Sequence, residues 1–200
     1  MRSTSFRKHI SKIVEINDEE WIALSNLLSV VEYKKGSIIY NEGDIHDKIY
    51  FINHGIIRSY LIDINGNDFT WYIHYSGDGS NIKNIFVTDY ASFTRQKQSK
   101  LLFEVIKDVE LISIGYSSIN NLYSLSEKWQ KFGRLMAENA YYLTQQRTLS
   151  LLTETADIRY KRLLKESPDL LKQVPQYYIA SFLGITPQSL SRIRKNLISN

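Results

Sequence analysis

Gln176-Tyr-Tyr-Ile-Ala-Ser-Phe-Leu-Gly-Ile-Thr-Pro-Gln-Ser-Leu-Ser-Arg-Ile-Arg-Lys-Asn-Leu197 reads as two short helices that cross tightly, a helix-turn-helix. Ala180 is small enough for the second helix to approach the first, and Gly184 suits the left-handed backbone that ends a helix. Thr186 can cap the second helix, and Pro187 fits its first turn, where no amide hydrogen bond is lost. Ile179, Leu183, Ile185, Leu190 and Ile193 supply the apolar side of both helices. The remaining outer residues of the second helix, Gln188, Ser189, Arg192 and Lys195, are types that read base edges or hold phosphates, and Thr186 and Arg194 lie beside them.

Charge follows the same segment. The formal net charge is +4, yet from Ala156 onward there are eight Lys and Arg against three Asp and Glu, while the preceding 155 residues carry 17 against 18. A cationic end that coincides with a helix-turn-helix is the distribution that phosphate attraction requires. The apolar fraction, 43%, is that of a globular chain, and 200 residues suit one large or two small domains. The absence of cysteine excludes disulfides, thiolate metal sites and iron–sulfur clusters. No uncharged apolar run reaches membrane-spanning length, and no apolar signal core follows the basic stretch Met1–His9, so the expected location is the cytoplasm.

Upstream, Asn17-Asp-Glu-Glu20 forms a capping-box helix start, with Trp21, Leu24, Leu27 and Leu28 at helical spacing behind it. From Tyr33 to Ile114 the pattern changes to short apolar runs separated by turns: 37–40, 49–52, 56–64, 69–75, 101–106 and 110–114. Glycines punctuate them, and Asn65-Gly66-Asn67 is a hairpin signal. Many short strands with regular turns predict an antiparallel barrel or roll. Residues 84–100 show no clean period and predict a loop or helical turn. A short helix capped at Ser117 or Ser118 ends near Leu125, and a long one runs from about Glu127 to Leu152. On it Trp129, Met136 and Leu143 lie seven apart with Phe132 beside them; Leu135, Tyr142 and Leu149 make a second row, and Asn139 and Gln146 interrupt the apolar side. Such rows suit either packing on the chain's own body or a dimer seam, in which a buried polar group can fix register; a dimer seam through Trp129, Phe132, Met136, Asn139 and Leu143 is favoured because one helix-turn-helix reads too few bases alone. Thr155 caps a further helix, Ser167-Pro168 ends it, and Val174-Pro175 leads into the helix-turn-helix. The expected fold class is α+β: an N-terminal antiparallel β-roll of the cupin-like jelly-roll kind with flanking helices (1–125), a long dimerisation helix (126–153) and a helix-turn-helix domain (154–200).

This order, together with Lys35-Gly-Ser-Ile-Ile-Tyr-Asn-Glu-Gly-Asp44, Ile49-Tyr-Phe-Ile-Asn-His-Gly55 and the stretch Ile179–Ile193, resembles the Crp/Fnr family of bacterial transcription regulators across nearly the whole chain. The resemblance implies an effector-type roll, base contacts from Gln188, Ser189 and Arg192 with Arg192 on guanine, and double-stranded DNA, a second copy of the chain and RNA polymerase as partners. Two departures stand out. The segment matching the family's phosphate-binding Gly-Glu motif is Gly77-Asp-Gly-Ser-Asn-Ile-Lys83, with Ile82 at the glutamate position, and the arginine position falls near Gln98-Ser99-Lys100. Cyclic AMP should therefore bind poorly. The residues left to line an effector site are Asn81, Ile82, Lys83, Trp71 and Tyr72, for an unidentified small molecule and no cofactor; Lys83, Arg95, Lys97 and Lys100 read better as solvated surface charges. The second departure is that Ile198-Ser-Asn200 leaves no room for the family's β-hairpin wing, whose backbone contacts would fall to residues such as Arg159, Lys161 and Arg162. His74 beside Trp71, Tyr72 and Tyr75 suits either a haem or aromatic-ligand pocket or the filling of the roll. Two other readings are a cupin-like metal enzyme drawing on His46, Asp47, His54, Asp63 and His74, which lack a tight His-x-His pattern, and a ligand-independent protein-interaction module. No metal site and no catalytic motif is expected.

Overall fold

The computed structural model describes residues 4–77 and 82–198. Two helices come first, α1 (Thr4–Ser11) and α2 (Asp18–Ser25). Asn17 accepts from the Glu20 amide while Glu20 accepts from the Asn17 amide, the reciprocal box that the spacing of the two residues predicts. The strands follow: β1 (Ser29–Tyr33), β2 (Ile38–Tyr40), β3 (Lys48–Ile62) and β4 (Asp68–Tyr75). Next come a helical turn α3 (Ile82–Ile85), β5 (Phe86–Val87), α4 (Tyr90–Arg95) and β6 (Leu102–Gly115). All pair antiparallel, in the order β1-β6-β3-β4, with β2 on β6 and β5 on β3.

Two pairs of runs that the sequence separates are single strands. Residues 49–52 and 56–62 join as β3, and 102–106 and 110–114 join as β6. Gly55 makes this possible. Its φ is +98°, and a Cβ there would overlap the carbonyl of Asp108 and the side chain of Val109, so the strands bulge past one another without breaking. At the β3–β4 turn the Asp63 carboxylate accepts from the Asn65 and Asn67 amides, which fixes the Asn-Gly-Asn hairpin.

The helical half contains α5 (Tyr116–Leu125), α6 (Glu127–Thr153), α7 (Ala156–Glu166), α8 (Pro168–Gln173), α9 (Gln176–Phe182) and α10 (Pro187–Ile198). Ser126 caps α6 and Thr155 caps α7. Phe6, Ile10 and Val14, in and just after a helix that the basic N-terminal stretch does not advertise, pack with Leu24, Phe51, Ile112, Leu122 and Trp129 into one core. A second core joins the two halves: Ile56, Ile73, Tyr75 and Ile106 of the sheet share it with Tyr160, Leu170, Val174, Ile179, Leu183, Leu190 and Ile193. The helix-turn-helix is thus docked on the sheet as well as joined to it through α6 and α7.

The two seven-spaced rows of α6 lie roughly 120° apart around the helix. Trp129 is buried in its own core, Phe132 packs against that core, and the Leu143 carbonyl accepts from Tyr72 Oη at 3.3 Å. Of the residues expected at a dimer seam, Trp129 is thus taken up by the chain's own core, Phe132, Met136 and Leu143 are half-buried, and Asn139 is exposed. The other row is the more outward one, with Leu135 half-buried and Tyr142 and Leu149 about half exposed; Leu152, three residues beyond Leu149, is 76% exposed.

Candidate nucleic-acid interface and cavity

The tight crossing is built as its residues require. Ala180 is fully buried, Gly184 has φ +68°, and the Ile185 amide donates to the Ala180 carbonyl at 3.0 Å. Thr186 Oγ1 accepts from the Ser189 amide at 3.2 Å and caps α10, while Leu190 and Ile193 turn inward. Gln188, Ser191, Arg192 and Lys195 stand exposed at i, i+3, i+4 and i+7, one face of the helix. No acidic residue occurs in α10. Ser189 is half-buried beside its cap. Arg194 is also half-buried; two residues beyond Arg192, it is turned by roughly 200° around the helix and does not belong to that face.

Behind this face, cations hold the halves together. Arg58 has only 4% of its surface exposed. Its guanidinium donates to Glu104 at 2.7 Å and to Asp68 at 2.8 Å, and lies between the rings of Tyr60 (3.9 Å) and Tyr178 (3.8 Å). Burial works against its charge, but the hydrogen bonds to Asp68 and Glu104 outweigh this and hold its pKa above the ordinary value. Tyr178 belongs to α9, so a roll arginine grips the first helix of the pair. The Tyr178 hydroxyl also donates to Glu104 at 3.3 Å, and Ser181 Oγ accepts from the Thr70 amide at 2.8 Å. Arg147 of α6 donates to the carbonyls of Thr70 and Phe182 and lies 4.0 Å from the Phe182 ring; burial pushes its pKa down to about 10. None of these roles is evident from motif reading, although one arginine inside the apolar run Ile56-Ile57-Arg58 is a signal.

Arg159 and Arg162, expected to replace wing contacts, are engaged at the hinge. Arg159 donates to the carbonyls of Ser150, Glu154 and Leu183, and Arg162 pairs with Glu154. Arg159 is half-buried in this brace, whereas Arg162 and Lys161 are exposed.

Between the sheet and α6 lies a cavity of about 490 Å³. Trp71 and Tyr72 line it, joined by His74, Phe86, Met136 and Ala140. Of the remaining expected effector residues, Asn81 and the side chains of Ile82 and Lys83 lie outside the described residues. Arg95, Lys97 and Lys100 are exposed. Ser99 is buried and donates to Asp89. His74 is anchored through both ring nitrogens, to Ser59 Oγ and the Phe86 carbonyl, and its ring stacks 5.8 Å from Phe103. Among the described residues no three His, Asp or Glu converge to hold a metal. In particular, His46 stacks on Tyr40 and Asp63 serves its turn.

Residues 30–125 match the cyclic nucleotide-binding domain family. No curated protein shows significant sequence similarity to the chain. Solved structures do share its fold. FixK2 from Bradyrhizobium japonicum matches with a TM-score of 0.72 at 19% identity over 86% of this chain and 85% of its own. The c-di-GMP-responsive global regulator CLP of Xanthomonas campestris matches at 0.65 and 14%, over 92% of each chain. The chain has the Crp/Fnr fold. A Crp/Fnr-family transcriptional regulator of Thermus thermophilus, at 0.62 and 16% over 86% of each chain, agrees. Within this Crp/Fnr fold the family match covers the roll from β1 to the end of α5, and the helix-turn-helix lies beyond it. Among the described residues no helix is long and apolar enough to cross a membrane.

Proposed function

We propose that the chain is a cytoplasmic, homodimeric, sequence-specific DNA-binding transcription regulator whose roll senses a small molecule other than cyclic AMP. The observation that carries this reading is the exposed face of α10, on which Gln188, Arg192 and Lys195 project from a capped helix with no acidic neighbour on it. An arginine fork there matches guanine O6 and N7, and a glutamine matches adenine. The outward row of α6 with exposed Tyr142 and Leu149, and Leu152 just beyond it, supports pairing of two chains, which would present two reading helices about one helical turn of DNA apart. The described wall of the cavity is mainly apolar, which supports an uncharged molecule over a phosphate ester as the ligand.

The docked α9 suggests how sensing is transmitted. The contacts of Arg58 and Arg147 define one arrangement of roll and reading head, and an effector that favours a second arrangement would shift the balance between them. The test is selection of duplexes from a random pool, followed by binding of the Arg192→Ala variant. The variant should lose about 1–3 kcal/mol and relax specificity at one base pair per half-site. Equal retention of all duplexes by both proteins would remove the reading.

A further inference from the structure

We infer that the cavity between the sheet and α6 is a site for an uncharged, largely aromatic or hydrophobic small molecule carrying a single hydrogen-bonding group. This rests on the sensor reading above and names the ligand class.

Size, lining and one unpaired atom converge on it. At about 490 Å³ the space falls in the range of small-molecule sites. Its walls are mainly the rings and methyls of residues such as Trp71, Phe86, Trp129, Met136 and Ala140. The polar groups at its edge are largely spoken for. His74 is held by Ser59 and the Phe86 carbonyl, the Tyr72 hydroxyl reaches Leu143, and Asp89 caps Ala91 and accepts from Ser99. Thr88 Oγ1, by contrast, is buried and has no hydrogen-bond partner. A buried hydroxyl without a partner is costly, and a ligand donor or acceptor placed against it would remove that cost. The described wall is largely aromatic and aliphatic, a surface against which burying a charge costs far more than burying a neutral ring.

The same wall leads to the reading head. Trp71 and Tyr72 lie 5.5 Å from the Arg147 guanidinium, which holds the Thr70 and Phe182 carbonyls. A ligand pressing on these two rings therefore acts on the residue that ties α6 to the end of α9.

The matched probes are N-phenyl-1-naphthylamine, neutral with one N–H, and 8-anilino-1-naphthalenesulfonate, the same skeleton with a sulfonate. Each is titrated into the full chain without DNA, and both probe emission and tryptophan quenching are read. The neutral probe should bind saturably, one per chain, at least about tenfold more tightly than the sulfonate, and should not be displaced by cyclic AMP. Ala140→Phe, which fills the space, should abolish saturable binding while leaving the thermal midpoint near that of the parent. If that variant does not fold, Ala137→Leu is the second filler, and Thr88→Val should weaken binding severalfold. Equal binding of the two probes, displacement by cyclic AMP, or neutral-probe binding that survives the filling variants would overturn the assignment. Because DNA retention is measured separately on the same preparations, failure of the probe arm leaves the DNA reading standing, and the reverse.

Discussion

Replacing Arg58 with methionine, and separately Tyr178 with leucine, should divide the molecule's stability into two parts. Arg58→Met leaves the Asp68 and Glu104 carboxylates, whose side chains are only 16% and 19% exposed, without their shared cation. Breaking a buried ion pair from one side costs about 3–5 kcal/mol, because the remaining charge stays desolvated. For a chain of this size that is a fall in midpoint of roughly 6–20 °C. Tyr178→Leu keeps the roll's ion pairs and removes the ring on one side of the guanidinium together with a long hydrogen bond to Glu104. Those contacts are worth about 1–3 kcal/mol together, and the loss should fall on docking of the reading head. The assay is native-state hydrogen exchange, with the Thr70 amide as the reporter because it donates to Ser181 Oγ across the interface. Tyr178→Leu should speed exchange at Thr70 while amides deep in β3 and β6 keep their protection; Arg58→Met should speed both. If Arg58→Met unfolds within about 1 kcal/mol of the parent, or Tyr178→Leu leaves Thr70 protected, the guanidinium is not the clamp described.

Three other outcomes follow from single sites. His46 is fully buried, and burial pushes its pKa down to about 4 although Asp89, Asp44 and Asp47 pull the other way. Its contribution is complete above the unfolded value of about 6.5 and is lost as pH falls from there toward 4, about 3 kcal/mol in all; denaturant melts should show this slope and His46→Gln should flatten it. Gly55→Ala forces a Cβ into the Asp108 carbonyl at positive φ and should cost at least about 2 kcal/mol in a urea titration, whereas alanine at Gly66, where the space is open, should cost less. Leu149→Asp on the outward row of α6 should shift sedimentation from two chains to one without lowering the monomer's helicity.

Much of the architecture was legible in residues whose physical role is local. Asn17 with Glu20, Thr155, Gly184 and Thr186 each act within one helix turn, so their type and spacing suffice. Long-range features were not. The seven-spaced rows of α6 are equally apolar on paper; which one meets the roll depends on Phe51, Ile112 and Leu122, which are distant in sequence. The run Phe6–Ile10–Val14 has helical spacing, but three basic side chains among those residues mask it. The docking of α9 rests on an arginine in β3 meeting a tyrosine 120 positions later, a pairing that no local pattern encodes. The cavity is likewise a product of tertiary packing: small Ala137 and Ala140 on α6 leave room that a larger residue would fill.

The most direct test of the central claim is the salt dependence of binding to a short selected duplex, followed by fluorescence anisotropy between about 50 and 200 mM salt. Two copies of a helix bearing Arg192 and Lys195, assisted by neighbouring cations such as Lys161, should give a log–log slope of roughly −4 to −6 with two chains per duplex. A slope near zero, or one chain per duplex with no preference among sequences, would contradict the account.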